Sequence, residues 1–323
     1  MPRKARLLVP GAIHHIMARG IEGRDIFIDD GDRNFFLSLL SKYLERSGHA
    51  CYAWVLMDTH YHLLLRTTEE PLGIFMRRLN CSYAMYYRNK YKRKGYVFQD
   101  RYKSIVTQDQ GYIEQLVRYI HLNPIRAGIC KNIKELDKYQ WSGHSVLMGK
   151  QRNTFQNTKD IIRRFATDHE TGIQGYRAYI IEGIEKGEGK DFLDDIRQSN
   201  NGTADIKEYR CWVIGDQEFV KKAIENDTVK RIRLLEYRKK GITVETIARD
   251  VSSQMGIEYK NIHHRARSTV VSALRKIVAV VSYRRYGIPL LQIADFYGIQ
   301  SSSVSRMLDE GERLLEHYEI KMI

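Results

Sequence analysis

Two histidines one residue apart head a run of leucines: Leu56-Met57-Asp58-Thr59-His60-Tyr61-His62-Leu63-Leu64-Leu65. The run is apolar, partly aromatic and about strand length, so it predicts a β-strand. Side chains alternate faces along a strand. His60 and His62 therefore share one face, and Tyr61 takes the other. Their roots lie about 7 Å apart on a rigid scaffold, near enough for both imidazoles to converge on one metal ion. The same pattern also suits a pair of histidines on the solvent face of an edge strand. The rest of the chain has to decide between these readings.

The chain has 323 residues, enough for two or three domains, and 43% of them are hydrophobic, enough for packed cores. Its net charge of +14 predicts a polyanionic partner, with nucleic acid as the first choice. A membrane surface is the rival, but no apolar run has transmembrane length. Met1 to Arg6 is basic and lacks the apolar centre of a secretory signal. Cys51, Cys81, Cys130 and Cys211 are scattered with no C-x-x-C pair. That spacing argues against a structural zinc site and fits a reducing cytoplasm.

The first half alternates strand and helix signals. Ala12 to Arg19 predicts a strand whose adjacent His14 and His15 face opposite sides, so they cannot chelate together; they read as structural or substrate-lining. Acids at Asp29, Asp30 and Asp32 precede an amphipathic helix over Asn34 to Arg46, ended by Gly48. Ala50 to Leu56 predicts a second strand, and a turn at Met57-Asp58-Thr59 delivers the histidine strand. Pro71 opens a long helix reaching about Lys94, whose end interleaves Tyr83, Tyr86, Tyr87 and Tyr91 with Arg88, Lys90, Lys92, Arg93 and Lys94. Tyrosines among cations suit stacking on unpaired bases and holding their phosphates; a solvated helix end is the plainer alternative. Tyr102 to Thr107 predicts a fourth strand. Strand, helix, strand, strand, helix, strand is the ferredoxin-like order. It predicts an α+β domain with an antiparallel sheet, helices on one face and His60 and His62 on the free face.

Asp109 to Asn123 predicts the next helix, with Pro124 beyond it. Tyr112, Gln115, Tyr119 and Asn123 fall on one stripe. His121 lies about 200° from Tyr119 around the helix, a poor position for a third ligand. Two imidazoles need an oxygen ligand to hold a hard ion such as Mg2+ or Mn2+, and the Asn123 amide can supply it. A tyrosine beside such an ion suits phosphoryl transfer, with the phenol attacking phosphorus. Geometry leaves both Tyr119 and Tyr112 as nucleophiles, and a core aromatic role for Tyr119 also remains. No residue stands out as the general base.

Four segments in order now carry a family resemblance. Thr59-His60-Tyr61-His62-Leu63-Leu64 resembles the histidine motif of the HUH single-tyrosine transposases. Arg118-Tyr119-Ile120-His121-Leu122-Asn123-Pro124-Ile125-Arg126-Ala127-Gly128 resembles their tyrosine helix in its REP-associated form. Gly11 to His15 with Arg19-Gly20 and Asp25-Ile26-Phe27 resembles that branch's opening, and Tyr139-Gln140-Trp141-Ser142 its closing segment. The resemblance spans roughly residues 1–148. It implies divalent metal, Mg2+ or Mn2+, on His60, His62 and Asn123, and it selects Tyr119 over Tyr112 as nucleophile. It further implies cleavage of single-stranded, hairpin-forming DNA through a 5′-phosphotyrosine with a free 3′ hydroxyl. Arg3, Lys4 and Arg6 would then contact the hairpin foot, with Arg88, Lys92 and Arg93 as further DNA contacts.

Residues 149–205 read as a helical connector, with a helix over Gly175 to Lys186 and a linker at Ser199 to Thr203. Residues 206–323 read as an all-α domain. Pro289 to Ile299, a turn at Gly298 and a serine-capped second helix have helix-turn-helix form. Ser301, Ser302, Ser303, Ser305 and Arg306 would face duplex DNA; an ordinary helical hairpin is the alternative. Adjacent His263 and His264 diverge by about 100° on a helix and do not make a metal pair. This segment resembles, more loosely, the C-terminal DNA-binding domain of the replication initiator DnaA. The sequence thus predicts a cytoplasmic, metal-dependent DNA nicking and strand-transfer enzyme with a DNA-binding tail. The alternatives are a non-catalytic DNA-binding regulator and a relaxase or rolling-circle initiator.

Overall fold

The computed structural model describes residues 11–68, 70–109, 111–187, 213–263, 269–318 and 320. The chain divides into two compact units, 1–227 and 228–323.

The first unit is built on β1 (Ile13–Arg19), α1 (Asp30–Ser47), β2 (Ala50–Met57), β3 (His60–Arg66), α2 (Leu72–Lys90) and β4 (Lys103–Thr107). The strands lie in the order β2-β3-β1-β4, each pair antiparallel. That is the ferredoxin-like arrangement the element order predicted. A two-residue strand, β5 (Val213–Ile214), extends the β4 edge in parallel.

Local chemistry sets the element ends. Asp29 caps α1 through a reciprocal box with Asp32, so the helix starts at Asp30, four residues before the expected start at Asn34. Gly48 ends it in the left-handed conformation at φ +67°. α2 stops at Lys90, short of the expected Lys94, and Lys92 adopts φ +50°.

Both faces of the sheet are covered, which corrects the expectation of a free face. On one face Ile16, Trp54, Tyr61, Leu63 and Leu65 pack with Phe36 and Leu40 of α1 and Phe75 and Leu79 of α2. On the other, Ile13, Val55, Leu64 and Ile105 pack with Leu116, Val117 and Ile120 of α3 (Ile113–His121) and Tyr176 and Ile180 of α8 (His169–Glu185). Leu63, Leu64 and Leu65 are all fully buried, and an unbroken apolar run of this kind marks a strand enclosed on both sides. A bulge between Cys51 and Ala53 sets the register of β2 against β3.

Short helices link α3 to α8: α4 (Asn123–Arg126), α5 (Ile133–Lys138), α6 (Gly143–Leu147) and α7 (Thr158–Ile162). The segment between α5 and α6 closes the β2 edge. Leu56 N–H donates to the Trp141 carbonyl at 2.9 Å and Tyr139 Oη to the Leu56 carbonyl at 2.9 Å. α9 (Gln217–Lys239) brings Val220 and Ala223 against Val106 and Val213.

The second unit holds α10 (Val244–Gln254), α11 (Thr269–Val280), α12 (Leu290–Tyr297) and α13 (Ser301–His317), with a 3-10 turn at Tyr259–His263. Ile247, Leu274, Ile277, Ala294, Val304 and Leu308 form its interior. Gly298 makes the turn between α12 and α13 at φ +62°. No described helix is long and apolar enough to cross a membrane.

Candidate functional site

The register of β1 against β3 assembles the site. Met17 pairs with His62, His15 with Leu64 and Arg19 with His60. Residues paired across an antiparallel ladder share a face. His15, Met17 and Arg19 therefore join His60 and His62 on the face that α3 covers. His14 turns the other way and bonds Ser104 Oγ at 2.9 Å.

His62 is 5% exposed. Its Nδ1 lies 2.9 Å from His15 Nε2, and the two rings stack with centroids 5.2 Å apart. His60 is half-buried at the mouth of the site, its Nδ1 2.9 Å from Thr59 Oγ1. The His60 and His62 ring centroids are 5.2 Å apart. Burial lowers the pKa of both histidines. For His62 the fields of His15, His60 and Arg126 add to it; for His60 that of Arg19 adds while Asp58 opposes. Both rings are thus held neutral, the form that ligates a metal.

α3 delivers Tyr119 to this pair. Its ring stands edge-on to His62 at 6.1 Å and to His15 at 5.7 Å. Tyr112 sits at the N-cap of α3, about 10 Å back along the axis at 1.5 Å per residue. Asn123 opens α4 rather than ending the expected continuous helix. Its Nδ2 donates to the carbonyls of Tyr119 at 3.0 Å and Ile120 at 3.1 Å, at the end of α3.

The donor set fits a hard divalent ion in part by elimination. Nδ1 of both rings and Nδ2 of Asn123 are committed to protein contacts. The opposite atoms, the two Nε2 and the Asn123 Oδ1, are those left to a metal. Among the described residues no group of three His, Cys, Asp or Glu side chains is arranged to hold a metal ion.

Two residues escaped the sequence reading. Arg126 places its guanidinium 4.3 Å from the centre of the Tyr119 ring and donates to the Tyr119 carbonyl. Its spacing of seven from Tyr119 puts both on one helical face, a signal that was present and unused. His15 was set aside because its neighbour His14 faces away; only the strand register reveals its contact with His62.

The tyrosines of α2 are a correction. Tyr83 and Tyr87 are buried and donate to the carbonyls of Ile26 and Asp25, while Tyr91 donates to Asp32 at 2.7 Å. Tyr86 stacks on Phe35 at 4.0 Å. These rings hold α2 to α1 and its preceding loop, so the buried Tyr83 and Tyr87 present no stacking platform. Lys90 is likewise bonded to Asp29 at 2.7 Å and Asp32 at 2.7 Å. Arg88 and Lys92 are exposed, and Arg93 lies 5.9 Å from the centre of the Tyr87 ring. Arg3, Lys4 and Arg6 lie outside the described residues, as do the side chains of Ser301 and Ser302. Ser303 and Ser305 are half-exposed and Arg306 is exposed on α13.

The sequence carries a family signature over this site. Residues 9–123 match the family model described as IS200-like transposases. The front of the chain is thus similar in sequence to IS200-like transposases over these residues. The match takes in His15, His60, His62, Tyr119 and Asn123, and it stops before Arg126 and α5 to α8. A solved structure described as a REP-associated tyrosine transposase bound to a REP hairpin is similar at a TM-score of 0.40 and 14% identity, covering 48% of this chain and 90% of its own. No curated protein sequence matches the chain.

Proposed function

We propose that the first unit cuts single-stranded, hairpin-forming DNA and transfers the cut strand, with Tyr119 as nucleophile. The observation that carries this reading is Tyr119 standing edge-on to His62 at 6.1 Å, with Arg126 stacked on the same ring at 4.3 Å. The phenol oxygen attacks phosphorus and the bond from phosphorus to the 3′ oxygen breaks. The phenol gives up a proton, and the departing 3′ oxygen gains one. The product is a 5′-phosphotyrosine and a free 3′ hydroxyl. Attack of a 3′ hydroxyl on that linkage reverses the step and joins strands. Arg126 favours negative charge developing on the phenol and offers forked donors to the phosphate. His15 fixes the ring orientation of His62, as partners behind metal ligands do. When bound by His60, His62 and Asn123, Mg2+ or Mn2+ would neutralise and orient the phosphodiester.

In this reading Arg3, Lys4, Arg6, Arg88, Lys92 and Arg93 hold the hairpin backbone. The second unit binds duplex DNA through the start of α13, with Ser301, Ser302, Ser303, Ser305 and Arg306 towards the groove. The exposure of Arg306 and the net charge of +14 support this.

The test is incubation of the full chain with labelled hairpin DNA and manganese. A covalent protein–DNA adduct is expected from wild type and from Tyr112→Phe, and none from Tyr119→Phe or His60→Ala. An adduct that survives Tyr119→Phe but not Tyr112→Phe removes the nucleophile assignment. Absence of any adduct from wild type favours a DNA-binding regulator instead.

A further inference from the structure

A second cluster of buried polar groups lies on the far side of α3 from Tyr119. His121, Tyr176 and His144 are each fully buried. Tyr176 Oη lies 2.8 Å from His121 Nδ1 and 2.7 Å from His144 Nδ1. His144 Nε2 lies 2.9 Å from Asp137 Oδ1, and Arg177 donates to Asp137 Oδ2 at 3.0 Å.

The proton order in this chain follows from its acidic end. The Asp137 carboxylate only accepts, so His144 carries its proton on Nε2 and its Nδ1 accepts. Tyr176 must then donate its single proton to His144. Its oxygen accepts in turn from His121 Nδ1–H. Each bonded atom has one consistent role, and only His121 Nε2, at the end of the chain, stays buried without a hydrogen-bond partner.

The same helix grips α3 at two further points. The guanidinium of Arg118 lies 3.8 Å from the centre of the Tyr179 ring and donates to Glu182 at 3.3 Å. Gly183 packs so closely that a Cβ there would stand 2.8 Å from Arg118 Cδ and 2.9 Å from Leu122 Cδ1. Arg118, His121 and Leu122 flank Tyr119 in sequence. The contacts therefore bear on the turn that aims the nucleophile. α8 lies beyond the family match, which ends at residue 123.

We propose that α8 is a brace for the tyrosine helix, and that Tyr176 is a positioning residue whose hydroxyl, through His121, sets the placement of Tyr119. This rests on the proposed nucleophile. A misplacement of about 1 Å at a reacting group can cost on the order of a hundredfold in rate. Loss of one hydroxyl should therefore appear in the chemical step and not in DNA binding.

The experiment uses the full chain in three variants, Tyr176→Phe, His121→Leu and His121→Asn. The asparagine amide can replace the Nδ1–H donor; leucine cannot. Single-turnover adduct formation on saturating hairpin DNA should fall roughly ten- to a hundredfold in Tyr176→Phe and His121→Leu, and His121→Asn should stay within about threefold of wild type. Hairpin Kd should hold within about twofold in all three. Hydrogen exchange of the α3 amides should quicken in Tyr176→Phe while the central strands stay protected. A wild-type rate in Tyr176→Phe, or His121→Asn as slow as His121→Leu, overturns the proposal. If wild type forms no adduct, the proposed function fails and α3 exchange alone decides the brace. Unchanged exchange in Tyr176→Phe then overturns it.

Discussion

Arg126→Ala tests how the site treats charge on Tyr119, the proposed nucleophile. The guanidinium sits 4.3 Å from the Tyr119 ring centre. At that separation a unit charge interaction amounts to about 1 kcal/mol in water and about 4 kcal/mol at the effective dielectric of a protein surface. Arg126 and Tyr119 are both half-buried, so the true value falls between these. At about 1.4 kcal/mol per factor of ten, removing the guanidinium should slow adduct formation roughly five- to several-hundredfold. Arg126→Lys keeps the charge but loses the planar stack and the fork, and should recover only part of the rate. The assay is single-turnover formation of the covalent adduct at saturating hairpin and manganese, with thermal unfolding of each variant alongside. The lost bond to the Tyr119 carbonyl should cost only about 1–3 kcal/mol of stability, leaving the chain folded for the assay. If Arg126→Ala forms adduct within about threefold of wild type, the cation is not stabilising the transition state, and the ring stack is only packing.

Other consequences follow from the same geometry. Burial lowers His49 to a pKa of about 4, so the unfolded chain takes up a proton near pH 6.5 that the native chain refuses. Stability should therefore fall as pH drops, by about 2 kcal/mol between pH 7 and 5 from this residue, and His49→Asn should remove that amount from the pH dependence of stability measured by urea denaturation. Asp29→Ala removes the cap of α1 and should cost about 1 kcal/mol in denaturant unfolding; an unchanged midpoint would show the capping box to be idle. Gly183→Ala drives a methyl into Arg118 and Leu122 and should lower stability by about 1–3 kcal/mol, read by calorimetry. Arg306→Ala should weaken duplex binding evenly across sequences and reduce the salt slope of log K by about 0.9, while leaving hairpin cleavage intact.

Much of the fold was legible in residue order. The apolar periods gave four strands and two long helices in ferredoxin-like succession. Proline, glycine and acidic residues placed the helix ends within a few positions. His60 and His62 were recognisable as neighbours because the two-residue period of a strand is a local rule. Tyr119 and Asn123 were likewise linked by the period of a helix. The α2 tyrosines were misread for the opposite reason. Alternating Tyr and Lys is compatible with a nucleic-acid surface, and only the packing of α2 on the loop before α1 turns those hydroxyls to Asp25, Ile26 and Asp32.

What the chain settles by itself is therefore what depends on near neighbours: element type, cap chemistry, and which side chains share a face. Tertiary structure decided what depends on pairing between distant segments. The β1–β3 register set His15 against His62, 47 residues apart. The packing of α3 closed the face expected to be open, and α8 brought Tyr176 to His121 across 55 residues. A one-residue slip in strand register reverses every side chain, and no local pattern fixes it. That is why the two histidines could be read from sequence, while the residues that orient them and hold the tyrosine could not.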